Sequence, residues 1–306
     1  MAEQKIARRK RNTFMQSGRI DVVFLSIVLI LLTVGLVMLF SASYAYSYEY
    51  YGNSYKFITR QAAFGAVGVA VMLILSKVDY HIWRKLTWLI FGVTVVMLIA
   101  LLILPPMVSG MDVKRWIVLG PVNFQPSELA KFSIVIVFAT RISVNQKLMS
   151  DFKFILFLVA LLGGVCLLVV LEPHLSATVL ILSIGLVLLF VGGIQKRYII
   201  GGAAGAVGLV AAAIFSGVIS YGSDRIKYWL DPWLAPKKEG YQTIQSLLAI
   251  GTGGIFGKGL GNSVQKNLYL PMGHNDFILA VIGEELGFVG ALFVVIAFGI
   301  LITRCR

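Results

Sequence analysis

Hydrophobic positions in this chain form long unbroken runs, unlike the short alternations typical of a soluble protein. Charge-free stretches cover residues 22–48, 86–111, 154–171, 173–195 and 198–223. A helix needs about 20 residues to cross a hydrocarbon layer of about 30 Å, so each stretch is long enough to span a membrane. The pattern therefore predicts an all-α fold, a polytopic membrane helix bundle.

Eight spans are expected, and they divide the chain into four regions. The spans are placed at residues 22–44, 58–76, 84–105, 125–142, 153–171, 174–194, 198–220 and 276–303. The regions are a basic N-terminus, 1–20, a seven-span part, 21–220, a long outer loop, 221–275, and the eighth span with the C-terminus, 276–306. Within the loop, the uncharged segment 241–257 starts amphipathic and ends rich in glycine. This predicts a helix lying in or dipping into the outer leaflet.

The composition excludes an ordinary soluble domain. Hydrophobic residues make up 58% of the 306 residues and only 13% are charged, which is too little charged surface for a soluble fold. The first apolar run is too long for the core of a cleavable signal, so the first span is expected to remain in the protein. The formal charge of +13 would suggest nucleic acid in a soluble protein. Here it must first be divided between the two membrane faces, and no nucleic-acid partner is expected.

The distribution of basic residues predicts the orientation. Most of the 27 lysines and arginines fall in the N-terminal segment, the even-numbered gaps between spans and the C-terminal end. Positive charge favours the cytoplasmic side, so both termini are expected inside the cell. The outer loop 221–275 nevertheless carries six basic and only three acidic residues. An anionic substrate head group explains that excess, and so does a loop of mixed charge beside anionic lipids.

Ionisable residues within or at the ends of spans are costly in lipid and therefore indicate function or pairing. Glu128 and Lys131 lie three residues apart on one face of the fourth span. They either pair with each other or line an outward-facing cavity. Glu172 opens a corner, Glu172-Pro173-His174, at which the proline ends the fifth span. That acid is either a solvated corner residue or part of a site.

Asp276 is the most informative acid, because it stands between the long loop and the last apolar run. Aspartate caps helices well, and a capping position would also hold the carboxylate at the boundary between membrane and water. Glu284 and Glu285 follow in the same span, about 12 Å deeper by helical rise. They are expected to hydrogen-bond neighbouring helices or to face the same cavity as Asp276.

The residues themselves leave three functional classes open. No serine-histidine-aspartate or metal-ligand spacing is present, and the three histidines fall in three different loops. Outward-facing carboxylates, bases and amphipathic surface suit a transferase with a carboxylate base, a transporter of an anionic amphiphile, or a membrane scaffold.

Several strings resemble those of one protein family, in the family's order. They are Phe40-Ser41-Ala42-Ser43, Lys114-Arg115-Trp116-Ile117, Gln125-Pro126-Ser127-Glu128-Leu129-Ala130-Lys131, Gly259-Leu260-Gly261-Asn262-Ser263-Val264-Gln265-Lys266, His274-Asn275-Asp276-Phe277-Ile278 and Gly283-Glu284-Glu285-Leu286-Gly287. The family is the SEDS proteins, named for shape, elongation, division and sporulation. The string 261–266 is similar to the FtsW and SpoVE branch, which suggests a division or sporulation paralogue.

The resemblance implies a peptidoglycan glycosyltransferase of the bacterial cytoplasmic membrane. Such an enzyme joins lipid II units by β-1,4 bonds, with inversion and release of undecaprenyl diphosphate, and works with a class B penicillin-binding protein and other division or sporulation proteins. Asp276 matches the essential aspartate and becomes the candidate catalytic base. The candidate substrate-binding residues are Lys114, Arg115, Glu128, Lys131, Glu172, Asn262, Ser263, Gln265, Lys266 and His274. Mg²⁺ or Mn²⁺ is a plausible cofactor by resemblance, although no cofactor is evident from the residues.

Two departures from the family pattern affect these expectations. The common Gln-Pro-Asp-Leu-Gly-Thr corner reads Glu172-Pro173-His174-Leu175-Ser176-Ala177-Thr178 here, so its acid stands two places earlier. The family normally has ten spans, so a chain with eight is expected to be a C-terminally truncated member. A lipid II flippase and a non-catalytic scaffold for the transpeptidase remain the alternative functions.

Overall fold

The computed structural model describes residues 21–104, 115–119, 122–172, 174–195, 198, 201–202 and 227–304. Eight α-helices have defined bounds within these ranges. They are α1 (Val22–Tyr51), α2 (Lys56–Leu75), α3 (His81–Ile103), α4 (Pro126–Val144), α5 (Phe152–Leu171), α6 (Leu175–Val191), α7 (Tyr241–Gly253) and α8 (Ile278–Arg304). Two short 3-10 helices lie at Gln146–Ser150 and Pro232–Leu234, and two antiparallel strands, β1 (Ile117–Leu119) and β2 (Val122–Phe124), form a hairpin before α4.

The all-α prediction is confirmed, and helices lie at seven of the eight predicted spans. The seventh predicted span, 198–220, falls almost wholly outside the described residues, so the span count stays a prediction. Five of the helices, α1, α2, α3, α5 and α8, are long and apolar enough to cross a membrane. The apolar α6 has only 17 residues, and α4 carries the charged residues noted above. The protein is thus an integral membrane protein.

The chain divides into two compact units. Unit 1 comprises residues 1–78 and 213–306, and unit 2 comprises residues 79–212. In unit 2 the helices α3 to α6 pack around a core that includes Phe138, Leu158 and Ile181, all fully buried. In unit 1 a second core joins α1, α7 and α8 through Met38, Ala249 and Val281.

Helices α1 and α8 of unit 1 run antiparallel, as two contacts far apart along them show. At one end, Arg304 Nε lies 2.7 Å from Asp21 Oδ2, and the Asp21 carboxylate also caps α1 by accepting from the Phe24 amide. Towards the other end, Ser41 donates to Glu285. Residues 21–41 rise by about 30 Å as a helix, which is the thickness of a hydrocarbon core. The two contacts therefore lie about one hydrocarbon-core thickness apart.

The last helix is broken rather than continuous. Gly287 inside α8 has φ 69° and ψ −167°, far from helical values. Its φ belongs to a region that residues with a Cβ rarely adopt. The sequence predicts a span at residues 276–303, and the helix found there, Ile278–Arg304, carries this break within it. A break frees backbone groups that must find other partners, and the loop described next supplies them.

Candidate active site

The segment 254–259, which follows α7, pairs its backbone with α8 around the break at Gly287. Four hydrogen bonds of 2.9 to 3.2 Å join the two: Lys258 N to Glu284 O, Gly259 N to Glu285 O, Phe288 N to Gly254 O and Val289 N to Ile255 O. These bonds satisfy groups that the helix can no longer pair internally.

Two glycines make this close approach possible. A Cβ on Gly257, at φ +78°, would overlap the carbonyl group of Glu285, and a Cβ on Gly287 would overlap the amide nitrogen of Gly257. Glycine is the only residue that fits both the positive φ and the backbone contact. The glycine-rich run seen in the sequence therefore allows the loop to pack directly against α8.

Glu284 is the centre around which the loop folds. This fully buried carboxylate accepts hydrogen bonds from the Ser263 hydroxyl at 2.5 Å and from Lys258 Nζ at 2.7 Å. The backbone N–H groups of Val264 and Gln265 also donate to it, at 3.1 and 3.2 Å. Hydrogen bonds to a charged acceptor are about twice as strong as neutral ones. The carboxylate thereby fixes the path of residues 258–265.

Glu285, also fully buried, ties the same loop to α1. Its Oε1 lies 2.8 Å from Lys266 Nζ and accepts a 2.7 Å hydrogen bond from the Ser41 hydroxyl. Lys266 also donates to Ser41 at 2.9 Å. The three side chains close a triangle between α1, the loop and α8. Lys266 is only 10% exposed, so its charge is directed at a protein carboxylate.

Asp276 lies two residues before α8 and is exposed. Among the described residues its carboxylate has no hydrogen-bond or ion-pair partner, unlike those of Glu284 and Glu285. The expected capping interaction is not formed: α8 begins at Ile278, and the amide of Asp276 itself donates to the Met272 carbonyl at 3.1 Å. An ionised carboxylate without a protein partner is able to accept a proton from a bound molecule.

His274 is the buried neighbour of Asp276. Its side chain is 4% exposed, and its ring packs against Tyr46 of α1 and Phe57 of α2, with centroid distances of 4.7 Å to each. Burial lowers the pKa of His274, although the Asp276 carboxylate acts in the opposite direction. A neutral imidazole packed against two aromatic rings contributes to the core of the turn and is not placed to bind substrate.

Other motif residues in the loop serve its own structure. Asn262 is exposed, and its side chain donates to the Lys258 carbonyl at 3.0 Å. Ser263 is 2% exposed, and its hydroxyl donates a hydrogen bond to Glu284. Gln265 is half-buried, with a buried Oε1 that has no hydrogen-bond partner among the described residues.

Unit 2 brings together the remaining candidates at one end of its helices. Glu172 follows the last residue of α5 and is 2% exposed, and its Oε1 makes no hydrogen bond within the described part of the chain. Burial raises the pKa of Glu172 to about 7, against the opposing charge of Arg115. The carboxyl group is thus half protonated near neutral pH.

His174 caps the next helix. Its Nδ1 accepts from the Ala177 amide at 3.1 Å, and its Nε2 lies 3.1 Å from the side-chain amide of Gln125. Because Nδ1 is the acceptor, the ring is neutral and carries its proton on Nε2, which the side-chain amide of Gln125 accepts only through its oxygen. Burial, and then the charge of Arg115, lowers the pKa of His174, in agreement with this state.

The cations of unit 2 complete this cluster. Lys131 lies 2.7 Å from Glu128 in the first two turns of α4, as one of the two readings of the sequence anticipated. Arg115 precedes β1, is half-buried, and acts electrostatically on both Glu172 and His174. Lys114 lies outside the described residues.

The described residues contain no group of three or more histidine, cysteine, aspartate or glutamate side chains that could hold a metal ion. An exposed lone carboxylate such as Asp276 fits a divalent ion only if substrate oxygens supply further ligands.

Sequence reasoning missed some members of the network. Ser41 and Lys258 were not selected, although both partner the buried acids of α8. Ser41 belongs to a quoted motif, and Lys258 stands in the glycine-rich run. Pairing between residues 41 and 285 leaves no local pattern that would identify it.

Residues 22–305 match the sequence profile of the cell cycle proteins FtsW, RodA and SpoVE. The chain belongs to this family. The resemblance to the SEDS proteins, and to their FtsW and SpoVE branch, is thereby confirmed.

Curated relatives of the family give the same picture. The chain is 37% identical to a probable peptidoglycan glycosyltransferase FtsW of Geobacter sp. (strain M18), over 93% of this chain and 77% of the relative. It is 35% identical to the stage V sporulation protein E of Bacillus subtilis (strain 168), again over 93% of this chain and 77% of the relative.

Solved structures of the family share the fold. A structure of a peptidoglycan synthase complex, described as coordinating polymerization and crosslinking, matches with a TM-score of 0.73 at 26% identity, over 93% of this chain and 76% of that chain. The rod shape determining protein RodA of Thermus thermophilus matches with a TM-score of 0.62 at 24% identity, over 93% of this chain and 73% of that one. The second likeness concerns the fold alone.

Proposed function

We propose that this chain is a peptidoglycan glycosyltransferase that polymerises lipid II in cell division or sporulation. FtsW relatives that carry this activity in their names align with 93% of the chain at 37% identity. The single structural observation that carries the proposal is the exposed, unpartnered Asp276 carboxylate on a loop that is otherwise tightly bonded to its surroundings.

In the proposed reaction, the 4-hydroxyl oxygen of one sugar attacks the anomeric carbon of a lipid-linked sugar. The bond from that carbon to the diphosphate oxygen breaks, a β-1,4 bond forms, and undecaprenyl diphosphate leaves with the electron pair. Asp276 takes the hydroxyl proton, which is the role of a general base. Inversion follows from displacement in one step.

The leaving diphosphate needs positive charge nearby. We assign this role to Arg115, whose fork of donors suits phosphate oxygens, with Lys114 and Lys131 as further candidates. Lys266 is assigned a structural role instead, because its ammonium group is mostly buried against Glu285. Asn262, Ser263, Gln265 and His274 likewise support the loop, and Glu128 and Glu172 act on the cations beside them.

The proposed orientation places Asp276 on the outer face of the bacterial cytoplasmic membrane. Asp21 and Arg304 meet at one end of α1 and α8, next to the basic N-terminal segment. Positive charge favours the cytoplasm, and Asp276 belongs to the opposite end of α8.

A divalent cation, Mg²⁺ or Mn²⁺, is proposed as an aid to the reaction. It would bind the diphosphate oxygens of the substrate and neutralise their charge. The proposed partner is a class B penicillin-binding protein, supported by the match to a synthase complex that couples polymerization with crosslinking.

Polymerisation of purified lipid II by the full chain in proteoliposomes tests the proposal. Asp276→Asn is expected to lower turnover by about 10² to 10⁴-fold, the usual contribution of a general base. Asp231→Asn is the matched control, since Asp231 is another exposed loop acid whose capping contact to Trp233 asparagine can keep. Equal turnover of the Asp276 variant and the wild type would rule out the base.

The same vesicles separate the alternatives. A flippase would move lipid II between leaflets without making glycan, and a scaffold would do neither.

A further inference from the structure

The turn that carries Asp276 is held in a strained conformation. Met272 has φ +51°, one of only two positive values among the described non-glycine residues. Its carbonyl accepts hydrogen bonds from two amides at once, Asn275 at 2.9 Å and Asp276 at 3.1 Å. A left-handed conformation costs a residue with a Cβ about 1 to 2 kcal/mol, so surrounding contacts must maintain it.

Two contacts fix this turn from outside. The Gln242 side chain of α7 donates to the Pro271 carbonyl at 2.9 Å, just before Met272. Just after it, the His274 ring packs against both Tyr46 and Phe57. The turn 271–276 is therefore attached to α7 on one side and to α1 and α2 on the other, while Asp276 itself stays exposed.

We propose that His274 is a positioning residue, and that its ring, packed against Tyr46 and Phe57, holds the strained turn that orients the Asp276 carboxylate. The inference rests on the proposed role of Asp276 as base. It differs from a substrate-binding role for His274 because a ring that is 4% exposed reaches the reaction only through the backbone.

The chemistry of the contact points to shape rather than charge. Both neighbours are rings tilted against the imidazole, with centroids at 4.7 Å, and within the described residues the His274 side chain makes no hydrogen bond. A phenyl ring has similar size and packs in the same way. Phenylalanine should therefore replace histidine here, and alanine should not.

The first test compares His274→Phe with His274→Ala by steady-state lipid II polymerisation. His274→Ala is expected to lower kcat by about 100-fold, the scale of a small misplacement of a catalytic group, with KM changed less than about threefold. His274→Phe should stay within about threefold of the wild type. If His274→Phe lost as much kcat as His274→Ala, the imidazole itself would be needed and the positioning role would be overturned.

Hydrogen–deuterium exchange provides a readout independent of activity. The amides of Asn275 and Asp276 should exchange slowly in the wild type and in His274→Phe, and much faster in His274→Ala. Unchanged protection in His274→Ala would overturn the proposal. Slow exchange in an Asp276→Asn variant that still polymerises would instead remove the base and leave the turn as inferred.

A second pair of variants probes the strain at an exposed residue, so that misfolding cannot obscure the answer. Met272 is 41% exposed. Met272→Gly suits the positive φ and should keep both kcat and exchange protection, whereas β-branched Met272→Val opposes it and should lower kcat at least tenfold with faster exchange. Identical behaviour of the two variants would contradict a strained, positioning turn.

Discussion

The buried pair of Glu285 and Lys266 makes the sharpest prediction about stability. Glu285 is fully buried and Lys266 is 10% exposed, so removal of either partner leaves the other charge almost wholly out of contact with bulk water. Glu285→Gln therefore leaves a buried ammonium group, for which the usual cost is about 3 to 5 kcal/mol. A cavity of about 470 Å³ lined by Lys266, Ser41 and apolar residues of α1 can admit water, so we expect about 3 kcal/mol.

Lys266→Met should cost a similar amount, because it leaves the Glu285 carboxylate with the Ser41 hydroxyl as its remaining partner. The double variant removes both charges and keeps both volumes. We expect it to be less destabilised than either single variant, at about 1 kcal/mol, since apolar replacement of a buried pair is often close to neutral. The coupling free energy between the two sites is then about 5 kcal/mol.

The neighbouring pair of Glu284 and Lys258 supplies the matched control. Lys258 is 32% exposed, and Glu284 keeps four other donors when the lysine is lost. Lys258→Met should therefore cost only about 1 kcal/mol. The contrast depends on exposure and on these remaining donors, because the two ion pairs have almost the same length, 2.7 and 2.8 Å.

Reversible unfolding of the full chain in mixed micelles, followed by tryptophan fluorescence, gives the free energies. Additive losses in the Glu285→Gln/Lys266→Met variant would refute the reasoning, because they would mean that each residue stabilises the fold without the other. So would a Lys258→Met variant as unstable as Lys266→Met.

Two further predictions concern Glu172 and Gly287. The folded-state pKa of Glu172 is about 7, against an ordinary 4.5, so the folded state binds this proton more tightly than the unfolded state does. The free energy of unfolding therefore falls as pH rises from 4.5 through 7, by about 3 kcal/mol in all. Glu172→Gln should match the wild type in acid and melt at a higher temperature above about pH 8. Glu128→Gln, at an exposed carboxylate, should show no such gain. If the melting temperatures of the wild type and Glu172→Gln changed equally with pH, the burial argument would be contradicted. Gly287→Ala should destabilise the chain by several times the roughly 1 kcal/mol of a simple backbone effect. Gly251→Ala in α7, where an added Cβ meets no atom within 4 Å, should be neutral or stabilising in the same melts. Equal melting temperatures of the two variants would show that the break in α8 tolerates a side chain.

The helices were predictable because lipid imposes one strong rule on the sequence. A long apolar run must satisfy its backbone internally, so its position gives the helix, as for α5, predicted at 153–171 and found at Phe152–Leu171. The end of α1 shows where that rule stops. The span was predicted to end at residue 44, but the helix continues through four more tyrosines to Tyr51 and ends at Gly52, whose φ of 66° makes it a left-handed cap.

The break in α8 was not predictable from hydrophobicity, because a scale of that kind contains no backbone angle. Gly287 stands in the string Gly283-Glu284-Glu285-Leu286-Gly287, and a glycine within a span is common enough to pass unnoticed. What distinguishes it is a second glycine, Gly257, thirty residues earlier, which meets it in space. The requirement belongs to the pair, and single-sequence patterns do not display pairs.

The charge of the outer loop illustrates how pairing changes a functional argument. Residues 221–275 carry six basic and three acidic residues, and this excess suggested an anionic ligand. Two of the six, Lys258 and Lys266, are held by Glu284 and Glu285, acids that lie beyond the loop in sequence but against it in space. Counting these pairs reduces the excess from three charges to one. The case for an anion-binding role therefore moves from this loop to the cluster of unit 2, where Arg115 stands beside a carboxyl group that is half neutral near pH 7.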